Sequence, residues 1–174
     1  RQIPSSAPAG DGGVVICRRD GNPLIFKLFE EESAMAARFV NPSTGDIREL
    51  LQRIKAIAVV GLSASPSRPS HGVARALQGF GYRIIPVNPG LSEVLGEKAY
   101  PSLEAVPEPV DLVDVFRESS HVAGIVEQCI ALKLPALWLQ DGVVDEAAAM
   151  RARQAGLTVV MDRCIYRDHA QLLR

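Results

Sequence analysis

AIAVVGLSASPSRPSHGVARAL, residues 56–77, is the stretch that decides the fold class of this chain. It begins with a continuous apolar run, AIAVVGL, which is typical of a parallel strand buried on both faces. A polar, serine-rich turn follows, and we predict that Ser70 caps a helix over residues 71–80. Gly79 and Gly81 mark the end of that helix. A buried strand, a turn and a helix in this order form the first half of a βαβ unit.

The same alternation continues to the end of the chain. The pattern predicts further strands at 82–87, 110–116, 136–140 and 157–161, with a short edge strand near 98–100. It predicts helices at 46–54, from Ser119 or Ser120 to 132, at 145–155 and at 164–173. Strands that alternate with helices of about ten residues indicate a parallel sheet with right-handed crossovers. We therefore expect a doubly wound, Rossmann-like α/β fold with about five strands in three α/β/α layers.

The amino-terminal residues differ in composition from the rest. Residues 1–13 are rich in Ser, Pro, Ala and Gly, which is typical of disorder. Residues 14–19 and 24–29 flank an Asp-Gly-Asn-Pro turn and could pair as a hairpin. We therefore divide the chain into an arm, 1–45, and a domain, 46–174. The polar segment at residues 41–45 is typical of a linker. Whether it is a linker, or part of an arm that lies on the main domain or on a partner subunit, is left open.

Composition argues against several classes of partner. The chain has 174 residues, with 19 basic and 20 acidic side chains and 5% aromatic residues. This balance gives no electrostatic reason to expect nucleic acid or an anionic membrane, and no apolar run reaches the roughly 20 residues of a membrane span. Three cysteines, far apart, fit reduced thiols better than disulfides or a metal site. We expect a cytoplasmic protein, a monomer or small homo-oligomer, that binds a small molecule.

Ligands of such sheets bind beyond the carboxyl ends of the strands, where the strand order reverses. After the first strand, Gly61 lets the backbone approach a ligand closely, and Arg68 can direct two hydrogen bonds onto a phosphate. The helix that begins beyond Arg68 favours anions at its amino end. The loop is therefore suited to phosphate, although its serines could equally serve ordinary helix capping.

The loop lacks the two common nucleotide fingerprints. A Gly-x-Gly-x-x-Gly pattern is missing because Ser63 and Pro66 stand where its second and third glycines belong. The second strand ends in Val87 and Asn88, not in the acid that binds the ribose of NAD. A Gly-x-x-x-x-Gly-Lys-Ser/Thr loop is also missing from the sequence. At the other strand ends, Phe116 provides a ring against which an adenine could lie.

Residues from about 46 to the end resemble a known family, the small stand-alone CoA-binding proteins of Rossmann-like fold. The matching stretches are IAVVGLSASPSRPSHGVARAL, GYRIIPVNPG, VLGEKAYPSLEAVPEPVDLVDVFR, ALWLQDGVVDEAAA and AGLTVVMDRCI. They cover about three quarters of the chain, in the expected order and spacing. The family shares its fold with the CoA-binding amino-terminal domain of the succinyl-CoA synthetase α subunit. The arm has no counterpart there.

The resemblance implies a set of contacts with coenzyme A. The residues that would cradle the pyrophosphate are Gly61, Leu62, Ser63, Arg68, Ser70 and His71. Those bordering the adenosine would be Val87, Asn88 and Pro89, with Val115, Phe116 and Arg117 opposite. Gln140 and Gly142 would lie toward the pantetheine arm.

Whether the protein is also an enzyme is a separate question. His71, Asp162 and Cys164 are the reactive residues expected at the ligand end of the sheet. Each has a simpler interpretation, as a helix-start residue, a loop acid or a packed thiol. We therefore expect a module that binds CoA or an acyl-CoA, with no catalytic residue and no metal site. Two alternatives stay open: a small enzyme of CoA-thioester chemistry, and a protein that binds another dinucleotide such as NAD(P).

Overall fold

A computed structural model describes residues 38–173, and the predicted disorder of residues 1–13 and hairpin at 14–29 lie outside this range. Within it, helices α1 to α5 comprise Thr44–Arg53, Pro69–Gly79, Val122–Ala131, Glu146–Gln154 and Ile165–Leu172. Strands β1 to β7 comprise Ala56–Val60, Arg83–Val87, Glu93–Val94, Glu97–Lys98, Leu112–Val115, Ala136–Leu139 and Thr158–Val160. Single 3₁₀ turns cover Leu103–Ala105 and Ser119–His121. No helix in this range is long and apolar enough to cross a membrane.

The central sheet confirms the predicted fold class. It has five parallel strands in the order β2-β1-β5-β6-β7. The predicted edge strand near residue 98 is instead part of a small antiparallel hairpin formed by β3 and β4. That hairpin meets the main sheet through one parallel bridge between Val87 and Tyr100.

Alternate side chains of the strands pack into two separate apolar layers. Ile57 and Val59 of β1 pack with helices α1, α2 and α5, whereas Ala58 between them packs with α3 and α4. Such two-sided burial explains why the strands are apolar throughout rather than alternating with polar residues. The sheet is therefore the middle of three layers, as expected.

The strand order reverses between β1 and β5. The chain leaves β1 toward β2 on one side, then crosses back to add β5, β6 and β7 on the other. In doubly wound sheets a crevice opens at this position, outside the carboxyl ends of the two strands. Gly61 follows β1, and Phe116 and Arg117 follow β5. The topology therefore brings these three residues to the crevice.

Helix α2 begins earlier than predicted. Its N-cap is Arg68, and Pro69 occupies the first turn, where a fixed φ and a missing N–H cost nothing. The prediction that Ser70 caps the helix is therefore wrong. Ser70 lies inside the first turn, where its Oγ accepts a hydrogen bond from the Ser63 N–H at 3.1 Å.

Residues 38–45, which the sequence analysis assigned to the arm, contact the domain. Phe39 is buried with the α3/α4 layer. The Asn41 side chain exchanges two hydrogen bonds with the Met161 backbone, at 2.7 and 2.8 Å. Ser43 forms a capping box with Asp46 at the start of α1. These contacts tie the segment before residue 46 to the end of the sheet.

Candidate ligand site at the carboxyl ends of the strands

Gly61 lies at the centre of the crevice in a conformation that suits only glycine. Its φ is +86°, and an added Cβ would stand 2.6 Å from the carbonyl oxygen of Phe116 and 2.8 Å from Cδ of Arg117. Its N–H donates to the carbonyl of Val87 at 3.0 Å. The turn after β1 is thus locked between the ends of β2 and β5.

Two cavities share Gly61 and Arg117 in their walls. The larger, which we call the central cavity, has a volume of about 650 Å³ and lies on the side of α2 and α5. Its walls include Arg68, Ser70, Val73, Phe116, Gln140 and Cys164. The smaller, the side cavity, has a volume of about 290 Å³. Its walls include Val87, Asn88, Pro89, Leu103, His121 and Gln128.

The structure brings most of the predicted site residues to these cavities. The central cavity is lined by Gly61, Ser63, Arg68, Ser70, Phe116, Arg117 and Gln140. The side cavity is lined by Gly61, Val87, Asn88, Pro89 and Arg117. Val87 and Phe116, between which an adenine was expected, therefore border different cavities.

Four predicted residues line neither cavity. Leu62 and Val115 are fully buried in the core. His71 lies beside a separate surface depression with Pro66 and Tyr166. The N–H of Gly142 donates to Oδ1 of Asp162 at 2.7 Å.

The serine-rich loop is held mainly by its own hydrogen bonds. The Ser65 N–H donates to Oγ of Ser63 at 3.1 Å, and the hydroxyls of Ser65 and Ser67 are 2.9 Å apart. The N–H of Arg68 donates to the carbonyl of Ser65 at 3.1 Å. The serines therefore shape the loop, which leaves the Arg68 side chain as its main group for an anion.

Two exposed arginines supply the positive charge at the crevice. Arg68 and Arg117 form no ion pair within residues 38–173. Arg117 Nη2 lies 3.3 Å from Nε2 of His121, and the aliphatic part of the Arg117 side chain packs against Gly61. Free guanidinium groups of this kind suit a phosphate ligand.

Asn88 has a structural task at the end of β2. Its Nδ2 donates to the carbonyl of Leu62 at 2.9 Å, and its Oδ1 accepts from the Gly90 N–H at 2.9 Å. The side chain ties the turn after β1 to the turn after β2. Its amide oxygen is therefore engaged where an NAD-binding protein offers a carboxylate to the ribose.

Asp114 is a residue of the site that the sequence analysis missed. It lies within β5, is fully buried, and accepts a hydrogen bond at 2.7 Å from Nε2 of Gln140. Burial raises the pKa of Asp114 to about 7, against the opposing effect of the Gln140 amide. The signal in the sequence was an acid inside an otherwise apolar strand, LVDV.

The two cysteines of the described range differ in setting. Cys129 is buried in the α3/α4 layer, and burial raises the pKa of its thiol to about 12. Cys164 is half-buried, stands at the N-cap of α5 and lines the central cavity. The loop before it is held by the ion pair of Arg163 with Asp168, with contacts of 2.6 and 2.7 Å.

Comparison with known proteins identifies a family that matches most of the described chain. The family model described as CoA binding domain matches residues 55–170. An uncharacterized protein of Bacillus subtilis (strain 168), YneT, is 48% identical over 130 residues, which are 75% of this chain and 96% of that protein. A hypothetical protein from Pyrococcus horikoshii OT3 has a solved structure that is 37% identical, with a TM-score of 0.75, over 79% of this chain and 99% of that one.

A segment of this chain also resembles part of a longer enzyme. An ADP-forming acetate–CoA ligase of Archaeoglobus fulgidus is 33% identical over 75 residues, which are 43% of this chain but only 11% of the ligase. The likeness therefore concerns one segment of that enzyme. Together with the family match, these findings confirm the resemblance that the sequence motifs indicated.

Proposed function

The chain belongs to the CoA binding domain family, and from that membership and the geometry at Gly61 we propose that it binds coenzyme A or an acyl-CoA. The observation that carries the proposal is the pair of cavities that share Gly61 and Arg117, with Arg68 in the wall of the larger one. Neither arginine forms an ion pair within residues 38–173. Coenzyme A is a nucleotide joined through a diphosphate to a long, flexible arm. Its two ends need separate spaces, and its middle needs positive charge and close backbone approach.

The proposed pose assigns each part of the ligand to one feature. The diphosphate lies over Gly61, between Arg68 and Arg117. The adenosine occupies the side cavity, against Val87 and Pro89. The pantetheine arm runs through the central cavity toward Gln140, and Phe116 lines its path rather than that of the adenosine.

The structure also gives a reason to prefer coenzyme A over NAD. The Asn88 side chain, at the position of the missing ribose acid, is occupied by the Leu62 carbonyl and the Gly90 N–H. A ribose diol finds no carboxylate there to accept its hydroxyl protons. The proposal is for binding, and it assigns no catalytic step.

Calorimetry with coenzyme A and NAD on the same preparation tests the proposal. We expect coenzyme A to bind in the micromolar range, about −8 kcal/mol, and NAD to bind at least about tenfold more weakly. Equal affinities, or tighter binding of NAD, would contradict it and favour the dinucleotide alternative. A panel of acyl-CoA thioesters, followed for hydrolysis, tests the alternative of a small thioester enzyme.

A further inference from the structure

A buried carboxyl group is hydrogen-bonded to the wall of the central cavity. Asp114 lies on β5 two residues before Phe116, which lines that cavity, and on the same face of the strand. Its partners in the sheet register are Val59 of β1 and Trp138 of β6, both apolar. Oδ2 of Asp114 has no hydrogen-bond partner within residues 38–173. Burying a carboxyl group with an unpaired oxygen costs folding free energy, and buried acids of this kind are found mainly at functional sites.

Within residues 38–173, the one side chain that forms a hydrogen bond with this acid belongs to the cavity wall. Gln140 is buried, lines the central cavity, and donates from Nε2 to Oδ1 of Asp114 at 2.7 Å. An ionised carboxylate only accepts hydrogen bonds, so it requires the N–H of the amide. The atom of Gln140 that remains for a ligand is then Oε1, an acceptor.

Protonation of Asp114 removes that requirement. A protonated carboxyl group can donate its own hydrogen to Oε1 of Gln140, which allows the amide to rotate and leaves Nε2 for the ligand. Asp114 and Gln140 therefore have two hydrogen-bonded states. In one, Gln140 presents an acceptor to the cavity, and in the other it presents a donor. Because burial raises the pKa of Asp114 to about 7, both states are accessible near neutral pH.

The contacts of Asp114 within the sheet are apolar or neutral, and charged groups lie on the helices over this face. Strands β1 and β6 contribute no titratable residue against Asp114. The helical layer over this face carries Asp46, Arg48, Glu49 and Arg53 on α1, His71 and Arg75 on α2, and Arg163, Cys164, Tyr166, Arg167, Asp168 and His169 at α5. Burial raises the pKa of Asp114, and hydrogen bonds from the Gln140 amide and the Val115 backbone oppose that shift.

We propose that Asp114 is a positioning residue that, through Gln140, decides whether the central cavity offers a hydrogen-bond acceptor or a donor to the ligand's arm. This inference rests on the proposed binding of coenzyme A. With Asp114 ionised, Oε1 of Gln140 accepts from an N–H, O–H or S–H group of the pantetheine arm. With Asp114 protonated, that bond is lost, and the affinity for coenzyme A falls.

The test compares coenzyme A with adenosine 3′,5′-bisphosphate, which lacks the arm, at pH values from 5.5 to 8.5. Because the phosphomonoesters of both ligands also titrate in this range, each ligand is compared between the wild type and Asp114→Asn, an isosteric change that cannot ionise. Relative to Asp114→Asn, the affinity of the wild type for coenzyme A should rise about 3- to 10-fold across this range, the value of one hydrogen bond. With adenosine 3′,5′-bisphosphate the two proteins should have the same pH profile. Identical profiles of the two proteins for coenzyme A, or a difference that adenosine 3′,5′-bisphosphate shows as well, overturns the proposal.

A second readout needs no ligand. In nuclear magnetic resonance spectra, the side-chain amide signals of Gln140 should shift with pH in the wild type, with a midpoint near 7, and stay fixed in Asp114→Asn. Signals that do not move in the wild type overturn the proposed coupling. Failure of coenzyme A to bind at every pH, with the amide signals still titrating, would instead overturn the proposed function and the ligand part of this inference. The two failures are therefore distinguishable.

Discussion

Replacing Gly61 with alanine is the sharpest perturbation that the structure offers. The residue has a φ of +86°, and the new Cβ would approach the Phe116 carbonyl oxygen to 2.6 Å and Cδ of Arg117 to 2.8 Å. The first contact is with backbone at the end of a central strand, which does not yield easily. The second is with a flexible side chain, which moves away from its present position.

The magnitude follows from these two effects. An L-residue with a left-handed backbone costs about 1–2 kcal/mol, and relief of a backbone overlap in a packed region adds about 1–2 kcal/mol. We therefore expect Gly61→Ala to lower the free energy of unfolding by about 2–4 kcal/mol. Displacement of Arg117 should remove a charge-assisted hydrogen bond to the diphosphate, which corresponds to about 10- to 100-fold weaker binding of coenzyme A.

Gly72→Ala is the matched control. Gly72 lies within α2, is exposed, and has no atom within 4 Å of an added Cβ. Alanine there should stabilise the protein by about 0.5–1 kcal/mol, because glycine is a poor helix former, and should leave binding unchanged. Urea denaturation and calorimetry measure both quantities. The reasoning is refuted if Gly61→Ala is as stable as the wild type, or if the two alanine variants behave alike.

Three further predictions concern separate parts of the molecule. Arg68→Ala should weaken binding of coenzyme A by about 1.5–3 kcal/mol with little change in melting temperature. The control Arg75→Ala changes a residue of α2 that lines neither cavity, and it should bind normally. Equal losses of affinity in calorimetry would contradict this prediction. Asp114 has a pKa raised to about 7 when folded, so the native state binds its proton more tightly and stability should fall as pH rises from about 4 to 7. Asp114→Asn should abolish that fall, because asparagine does not ionise. In urea denaturation at pH 8 it should be more stable than the wild type by up to about 4 kcal/mol, and equal stability of the two proteins would contradict the prediction. Asn41→Ala should lower the free energy of unfolding by about 1–3 kcal/mol, because it leaves the Met161 N–H without its hydrogen-bond acceptor. An unchanged denaturation midpoint would show that residues 38–45 lie apart from the domain in solution.

Sequence patterns were sufficient for the sheet because its signals are local. The apolar run at residues 56–62 and its counterparts each report burial on two faces, and the helices between them set a parallel arrangement. The crevice followed from topology, since Gly61 and Arg117 each come directly after a strand that borders the reversal. The sequence alone therefore predicts that the residues following these strands meet at one edge of the sheet.

Local sequence patterns do not predict contacts between residues that are far apart in the chain. Asp114 is buried against Gln140, which is 26 positions away and directly follows the neighbouring strand β6. Ser70 looked like a helix cap because serine favours that position, but Pro69 competes for the first turn and moves the start of α2. Leu62 follows Gly61 directly, yet its side chain turns inward to the core. Spacing alone could not separate these neighbours.

A crystal structure of the protein grown with coenzyme A tests the central claim most directly. We predict electron density for the diphosphate over Gly61, between Arg68 and Arg117, with the adenosine in the side cavity and the arm passing along Gln140 through the central cavity. Density for coenzyme A at any other surface, or crystals that exclude it at millimolar concentration while both cavities stay open, would contradict the claim.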